Sequence, residues 1–260
     1  MLPKHDRQTI IFFLIAFFIA GCGINQNATP TLETNSIPQA SSVPSTSVAP
    51  QMSPTFDMSK YSFPESVDST KYYLFYLHGK IIEDQGIPAV SPDYGEYEYK
   101  AILEKLGGYG FVVISEQRVK NADSMEYARK IADQVTALLK AGVPAGNITV
   151  VGASKGAGIT IFVSHLLDNE EINYVIMAIC DPATVEELKQ NEISLHGNVL
   201  SIYDSADELA GSCQELFLFS EGKGISKYNE IVLNVGTGHG ILFKPLDEWI
   251  IPVIDWTGKP

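Results

Sequence analysis

The sequence is poor in basic charge, cysteine and long apolar runs. Eighteen Lys and Arg stand against 31 Asp and Glu, a formal charge of -13. A chain this acidic is ill suited to neutralising phosphate backbones, so no nucleic-acid partner is expected. The three cysteines, Cys22, Cys180 and Cys213, form no C-x-x-C pattern, and there is no His-rich motif, so no metal is expected. There is no Walker loop and no dinucleotide fingerprint, so no nucleotide cofactor is expected. The glycine cluster Leu106-Gly107-Gly108-Tyr109-Gly110 precedes a strand and opens no helix, and reads as a helix stop rather than a phosphate cradle.

The apolar run from Ile10 to Ala20 is too short to span a bilayer comfortably, but follows Lys4 and Arg7 as the core of a signal peptide does. It ends in Ile19-Ala20-Gly21-Cys22, which resembles the bacterial lipobox. That resemblance implies removal of residues 1–21, lipidation of Cys22 and a membrane-anchored protein of the cell envelope. Acyl chains then replace the lost segment as the anchor, and more than one chain is needed to hold it. Gly23 in place of an aspartate implies outer-membrane sorting where the enteric rule applies. Residues 22–58 are mostly Ser, Thr, Pro, Asn and Gln. Such a segment cannot bury enough apolar surface to offset its ordering entropy, and is expected to be a flexible tether. Residues 59–260 form the expected domain.

Within that domain six apolar runs read as strands: 71–77, 111–114, 148–151, 174–179, 198–203 and 231–235. Most are continuous rather than alternating, as strands of a parallel sheet covered on both faces are. Between them, Glu98 to Leu106, Ser124 to Lys140 and Ala157 to Leu167 carry helical periodicity, with Gly142 stopping the second. The fold class is therefore α/β, a mainly parallel sheet flanked by helices.

The chemistry-bearing stretch is Ile148-Thr-Val-Val-Gly-Ala-Ser-Lys-Gly-Ala-Gly-Ile159. A strand, a Gly-x-Ser-x-Gly turn and a helix would raise Ser154 on a sharp elbow. A serine hydroxyl is a poor nucleophile at neutral pH and needs a base. Of the five histidines, His5 lies in the signal region, His165 lies mid-helix, and His196 precedes a strand. His78 follows the first strong strand, and His239 follows the last in Gly236-Thr-Gly-His-Gly240. His239 is therefore the candidate base. Three acids follow strands as candidates to orient it: Asp181, Asp204 and Asp207. Asp204 is alternatively a turn-holding residue, and Asp207 a helix N-cap opening a helix after 203.

These features together resemble the α/β-hydrolase superfamily. The resemblance rests on His78-Gly79 after the first strand, the Ser154 elbow, the acids after the penultimate strand and the late His239. The order Ser, Asp, His is the one that fold uses. The resemblance implies a compact α/β-hydrolase without a large lid and leaves little chain for the first two strands of the full fold. It favours Asp207, a few residues beyond its strand, as the acid. It also implies an oxyanion hole from the backbone N–H groups of Lys80 and Lys155, and an ester or thioester acyl substrate, the alternatives being a peptidase or acyltransferase with the same triad or a catalytically silent binding protein of the same fold. No metal or cofactor is implied.

Softer candidates remain. Glu116 and Arg118 follow a strand and either touch a polar substrate group or form an internal salt bridge. The Lys155 side chain either favours an anionic substrate or reaches solvent, with solvent the expectation. Tyr94, Tyr97 and Tyr99 line a pocket or simply pack. Cys180 and Cys213 pair or remain free thiols.

Overall fold

A computed structural model describes residues 57–259. The expected signal peptide, Cys22 and all but the last residues of the expected tether lie outside the described residues. After a short 3-10 turn at Met58–Tyr61, the chain enters β1 (Tyr73–Leu77) and α1 (Lys80–Gln85). A small hairpin, β2 (Val90–Ser91) and β3 (Gly95–Glu96), leads to α2 (Tyr99–Gly108) and β4 (Val112–Ile114). Next come α3 (Ser124–Lys140), β5 (Ile148–Ala153) and α4 (Lys155–Leu167). They are followed by β6 (Asn173–Met177), α5 (Pro182–Gln190) and β7 (Gly197–Asp204). The chain closes with α6 (Gln214–Ser220), β8 (Ile225–Leu233), a 3-10 segment Gly238–Phe243 and α7 (Asp247–Trp256).

Six strands form one sheet in the order β4-β1-β5-β6-β7-β8, with every neighbouring pair parallel. Parallel pairing places all the carboxyl ends along one edge, where such sheets hold their ligands. The continuous apolar runs divide between two cores. Tyr73, Phe75 and Leu77 of β1 point into one, with Ile131, Val135 and Leu138 of α3. Leu74 and Tyr76 point into the other, with Ile102 and Leu103 of α2 and Trp249 and Val253 of α7. Each fully buried Leu, Ile or Val contributes about 1.5–3 kcal/mol, and helices on both sides are needed to collect it.

The expected bounds of α3 match those observed. Asp123 caps it by accepting from the Glu126 N–H at 2.8 Å, and Gly142 ends it at φ +88. Several elements differ from expectation, and α1, α5 and α7 were not anticipated. The β2–β3 hairpin is too short for periodicity to reveal. The last strand begins at Ile225, not Ile231. As an edge strand it leaves Ser226, Lys227 and Asn229 exposed, so its first half looks polar. No helix begins at Asp207; a loop follows β7, and α6 starts at Gln214. No helix among the described residues is long and apolar enough to cross a membrane.

Candidate active site

Strand β5 ends at Ala153, and α4 begins at Lys155, so Ser154 alone makes the turn. It does so at φ +52, ψ -118, a backbone state that strains a residue with a Cβ by roughly 1–3 kcal/mol. Its neighbours hold it there. The Ser154 N–H donates to Met177 O at 2.9 Å, and its carbonyl accepts from Ala157 N at 2.7 Å. The flanking glycines answer a steric need. A Cβ on Gly152 would overlap the Gly156 carbonyl and Thr160 Oγ1. One on Gly156 would collide with the Leu77 carbonyl and come within 2.8 Å of His78 O. The elbow therefore presses directly on the end of β1.

That end of β1 continues into His78-Gly79. A Cβ placed on Gly79 would lie 3.8 Å from Ser154 Cβ, so the loop and the serine are neighbours. Lys80 and Lys155 are the first residues of α1 and α4. Backbone N–H groups in a helix's first turn have no acceptor within the helix. One of them follows Ser154 directly, and the other follows Gly79, the serine's neighbour. The His78 ring is buried: its Nε2 accepts from the Arg118 N–H at 3.0 Å, and its Nδ1 donates to Gly79 O at 2.8 Å. Burial, then the Arg118 charge, lowers its pKa to about 3, so it is neutral and shapes the loop.

At the other end of the sheet, His239 Nδ1 donates to Asp207 Oδ2 at 2.8 Å. The Asp207 side chain is fully buried and that of His239 is 12% exposed. This bond fixes the neutral tautomer that leaves Nε2 free to accept a proton. Gly238 makes the approach possible: it sits at φ +55, with a would-be Cβ 2.9 Å from Ala206 O. The other acids are engaged elsewhere. Asp204 accepts from the N–H groups of Ala206, Val235 and Gly236 at 2.8–3.0 Å, holding the turns after β7 and β8 together. Asp181 caps α5 through Ala183 N and Thr184 N. His165 packs on His196, whose Nδ1 lies 2.7 Å from Asp168.

An aromatic wall joins the two ends. Tyr97 stands beside Gly79, Phe243 beside Tyr97, and Tyr94 beside both Phe243 and His239. Tyr97 and Tyr99 are packing residues, bonded to Tyr76 and Ser115 through their hydroxyls. Tyr94, carried by the β2–β3 hairpin, is half-buried against the histidine; burial, then the Asp207 charge, raises its pKa.

Contrary to the sequence expectation, the Lys155 side chain does not reach out to solvent. It bonds Glu83 Oε2 at 2.6 Å and Ala122 O at 2.7 Å. Arg118 forms the internal salt bridge, with Nε 2.6 Å from Glu83 Oε1, while Glu116 turns away to pair with Lys130. Glu83 was not anticipated, because the six-residue helix α1 shows too little periodicity to reveal it. Its position one helical turn after Lys80 was the available signal. Cys180 and Cys213 are disulfide-bonded, with Cα atoms 5.1 Å apart. Among the described residues, no group of three or more His, Cys, Asp or Glu is placed to hold a metal ion.

No protein-family model and no curated protein sequence matches this chain. Solved structures do. A phospholipase/carboxylesterase from Dyadobacter fermentans matches at 14% identity and a TM-score of 0.51, over 75% of this chain and 94% of that one. A CIB-like hydrolase from Thermoplasma acidophilum matches at 18% and 0.48, over 75% and 90%. SOBER1 of Arabidopsis thaliana matches at 12% and 0.47, over 71% and 99%. The likeness is one of fold: a parallel six-stranded sheet flanked by helices, the compact α/β-hydrolase arrangement without a large lid.

Proposed function

We propose that this chain is a serine hydrolase acting on a carboxylic ester or thioester, with Ser154, His239 and Asp207 as its triad. The Asp207–His239 hydrogen bond carries the reading, because it joins a buried carboxylate to a ring beside the elbow's aromatic wall. Ser154 Oγ attacks the carbonyl carbon while His239 Nε2 takes its proton. Asp207 holds the ring and stabilises its protonated form. The N–H groups of Lys80 and Lys155 receive the developing oxyanion. The tetrahedral intermediate collapses, the acyl–oxygen or acyl–sulfur bond breaks, and His239 returns the proton to the leaving group. Water then gives a proton to His239 and attacks the acyl-serine; as the acyl–Oγ bond breaks, His239 passes that proton to Ser154 Oγ, which frees the acid and restores the enzyme.

The D. fermentans neighbour is named a phospholipase/carboxylesterase, which supports an ester as substrate. The lipobox-like segment supports a lipid anchor at Cys22 and an envelope location. A fluorophosphonate probe tests the enzyme reading. It should label the wild type and not Ser154→Ala; no label on the wild type, or equal label on both, overturns it. Short-chain nitrophenyl esters should turn over and peptide amides should not, which separates an esterase from a peptidase. Cys22→Ser should leave the protein soluble when cells are fractionated; retention in the membrane overturns the anchor.

A further inference from the structure

We propose that the Lys155 side chain, through the buried carboxylate of Glu83, is a positioning residue that sets the spacing of the two oxyanion-binding N–H groups. The proposal rests on the hydrolase reading above. Glu83 is fully buried, as is the Arg118 side chain, and Lys155 is 20% exposed. Both carboxylate oxygens are taken: Arg118 Nε holds Oε1 and Lys155 Nζ holds Oε2, each at 2.6 Å. Burying a carboxylate is costly unless it is paired and hydrogen-bonded, and here each oxygen has a cationic partner.

The connectivity gives the pair its leverage. Glu83 lies one helical turn beyond Lys80 in α1, so its position and that of the Lys80 N–H move together. Lys155 carries the second N–H on its own backbone. The Lys155–Glu83 bond therefore spans from one donor's helix to the other donor's residue. Two further contacts brace it. Lys155 Nζ also donates to Ala122 O at 2.7 Å, and an Arg118 guanidinium N–H donates to the His78 carbonyl. The loop after β1, the loop after β4 and the elbow are thus tied at one point. With Nζ committed to two acceptors, the side chain is not a free cation for an anionic substrate.

Lys155→Met and Lys155→Arg provide the test. Lys155→Met removes one partner but leaves Glu83 bonded to Arg118, so the fold should hold. Its kcat on nitrophenyl acetate should fall about 10–100-fold, the range set by misplacing one oxyanion donor, with KM within about twofold. Affinity for a trifluoromethyl ketone, which forms a tetrahedral adduct on serine, should fall in proportion to kcat. Lys155→Arg keeps charge and bond, and should hold kcat within about fivefold of the wild type. Fluorophosphonate labelling of the wild type keeps the two readings apart. An unlabelled wild type overturns the hydrolase reading and this proposal with it. A labelled wild type whose Lys155→Met variant keeps its kcat, or loses it only through KM, overturns this proposal alone. Should Lys155→Met fail to fold, a folded Lys155→Arg that loses kcat more than about 100-fold overturns it as well.

Discussion

The two ends of the candidate triad are held by different physics. The serine end, at the carboxyl ends of β1 and β5, is fixed by backbone against backbone: Gly156 lies on the Leu77 carbonyl, and Gly152 on the Gly156 carbonyl. Side chains add the Lys155–Glu83–Arg118 cluster behind it. The acid–base end, at β7 and β8, is made of loops. There the Asp204 carboxylate ties two turns together by accepting from three backbone N–H groups, and Cys213 staples the end of the Asp207 loop to Cys180. A nucleophile in a strained backbone state needs steric confinement. A histidine and its acid need only to meet, and a tethered loop suffices.

Breaking the steric end should have the largest effect. Gly156→Ala puts a methyl into the Leu77 carbonyl, which sits in the second strand of the sheet and cannot retreat. A loss of more than about 4 kcal/mol is expected, with little soluble folded protein and no cooperative melt by circular dichroism. A well-folded Gly156→Ala would show that the elbow is not confined in this way.

At the loop end, the two aspartates should separate stability from chemistry. Asp207→Asn keeps the shape but offers His239 the wrong hydrogen-bond partner, so kcat on nitrophenyl esters should fall about 10³–10⁴-fold with little change in Tm. Asp204→Ala removes the acceptor for three N–H groups and should lower stability by about 2–3 kcal/mol in a thermal melt. Activity per folded molecule should fall less than in Asp207→Asn. The reverse ranking would move the acid's role to Asp204.

The staple should matter next. The disulfide closes a 33-residue separation, for which chain entropy gives about 3–4 kcal/mol. Cys213→Ser, or reduction of the wild type, should lower Tm accordingly. Because Cys213 ends the loop that carries Asp207, kcat should fall while fluorophosphonate still reaches Ser154. An unchanged kcat in the folded Cys213→Ser variant would mean that Asp204 alone sets the loop.

Much of this was legible in the chain, and most of the failures share a cause. The elbow, the bounds of α3 and the parallel α/β class follow from local pattern: a glycine-flanked turn, a 3.6-residue period and continuous apolar strands. Which aspartate meets His239 did not follow from local pattern, because Asp204 and Asp207 both follow the same strand; the resemblance alone favoured Asp207, the one His239 meets. The pairing of Cys180 with Cys213 and the burial of Glu83 are likewise long-range facts. Glu83 sits in a polar run, Glu83-Asp84-Gln85, whose other two members are exposed, and only the approach of Arg118 and Lys155 from distant segments gives its buried carboxylate partners. The early part of β8 was missed for the opposite reason: an edge strand faces water, so its residues carry no apolar signal.

The smallest expected effect sharpens the contrast inside a single helix. Gly158 lies two residues beyond Gly156 in α4, but a Cβ there would meet only Ile179 Cδ1, at 3.9 Å, an ordinary contact. Its φ is not in the left-handed region, so nothing in the backbone requires glycine. Gly158→Ala should therefore raise stability, by about 0.5–1 kcal/mol, through helix propensity and a less flexible unfolded chain. The same substitution at two positions of one helix should thus give opposite signs, measured by paired thermal melts. If Gly158→Ala destabilises by as much as Gly156→Ala, the constraint lies in the whole helix N-terminus and not in the single point where the elbow presses on β1.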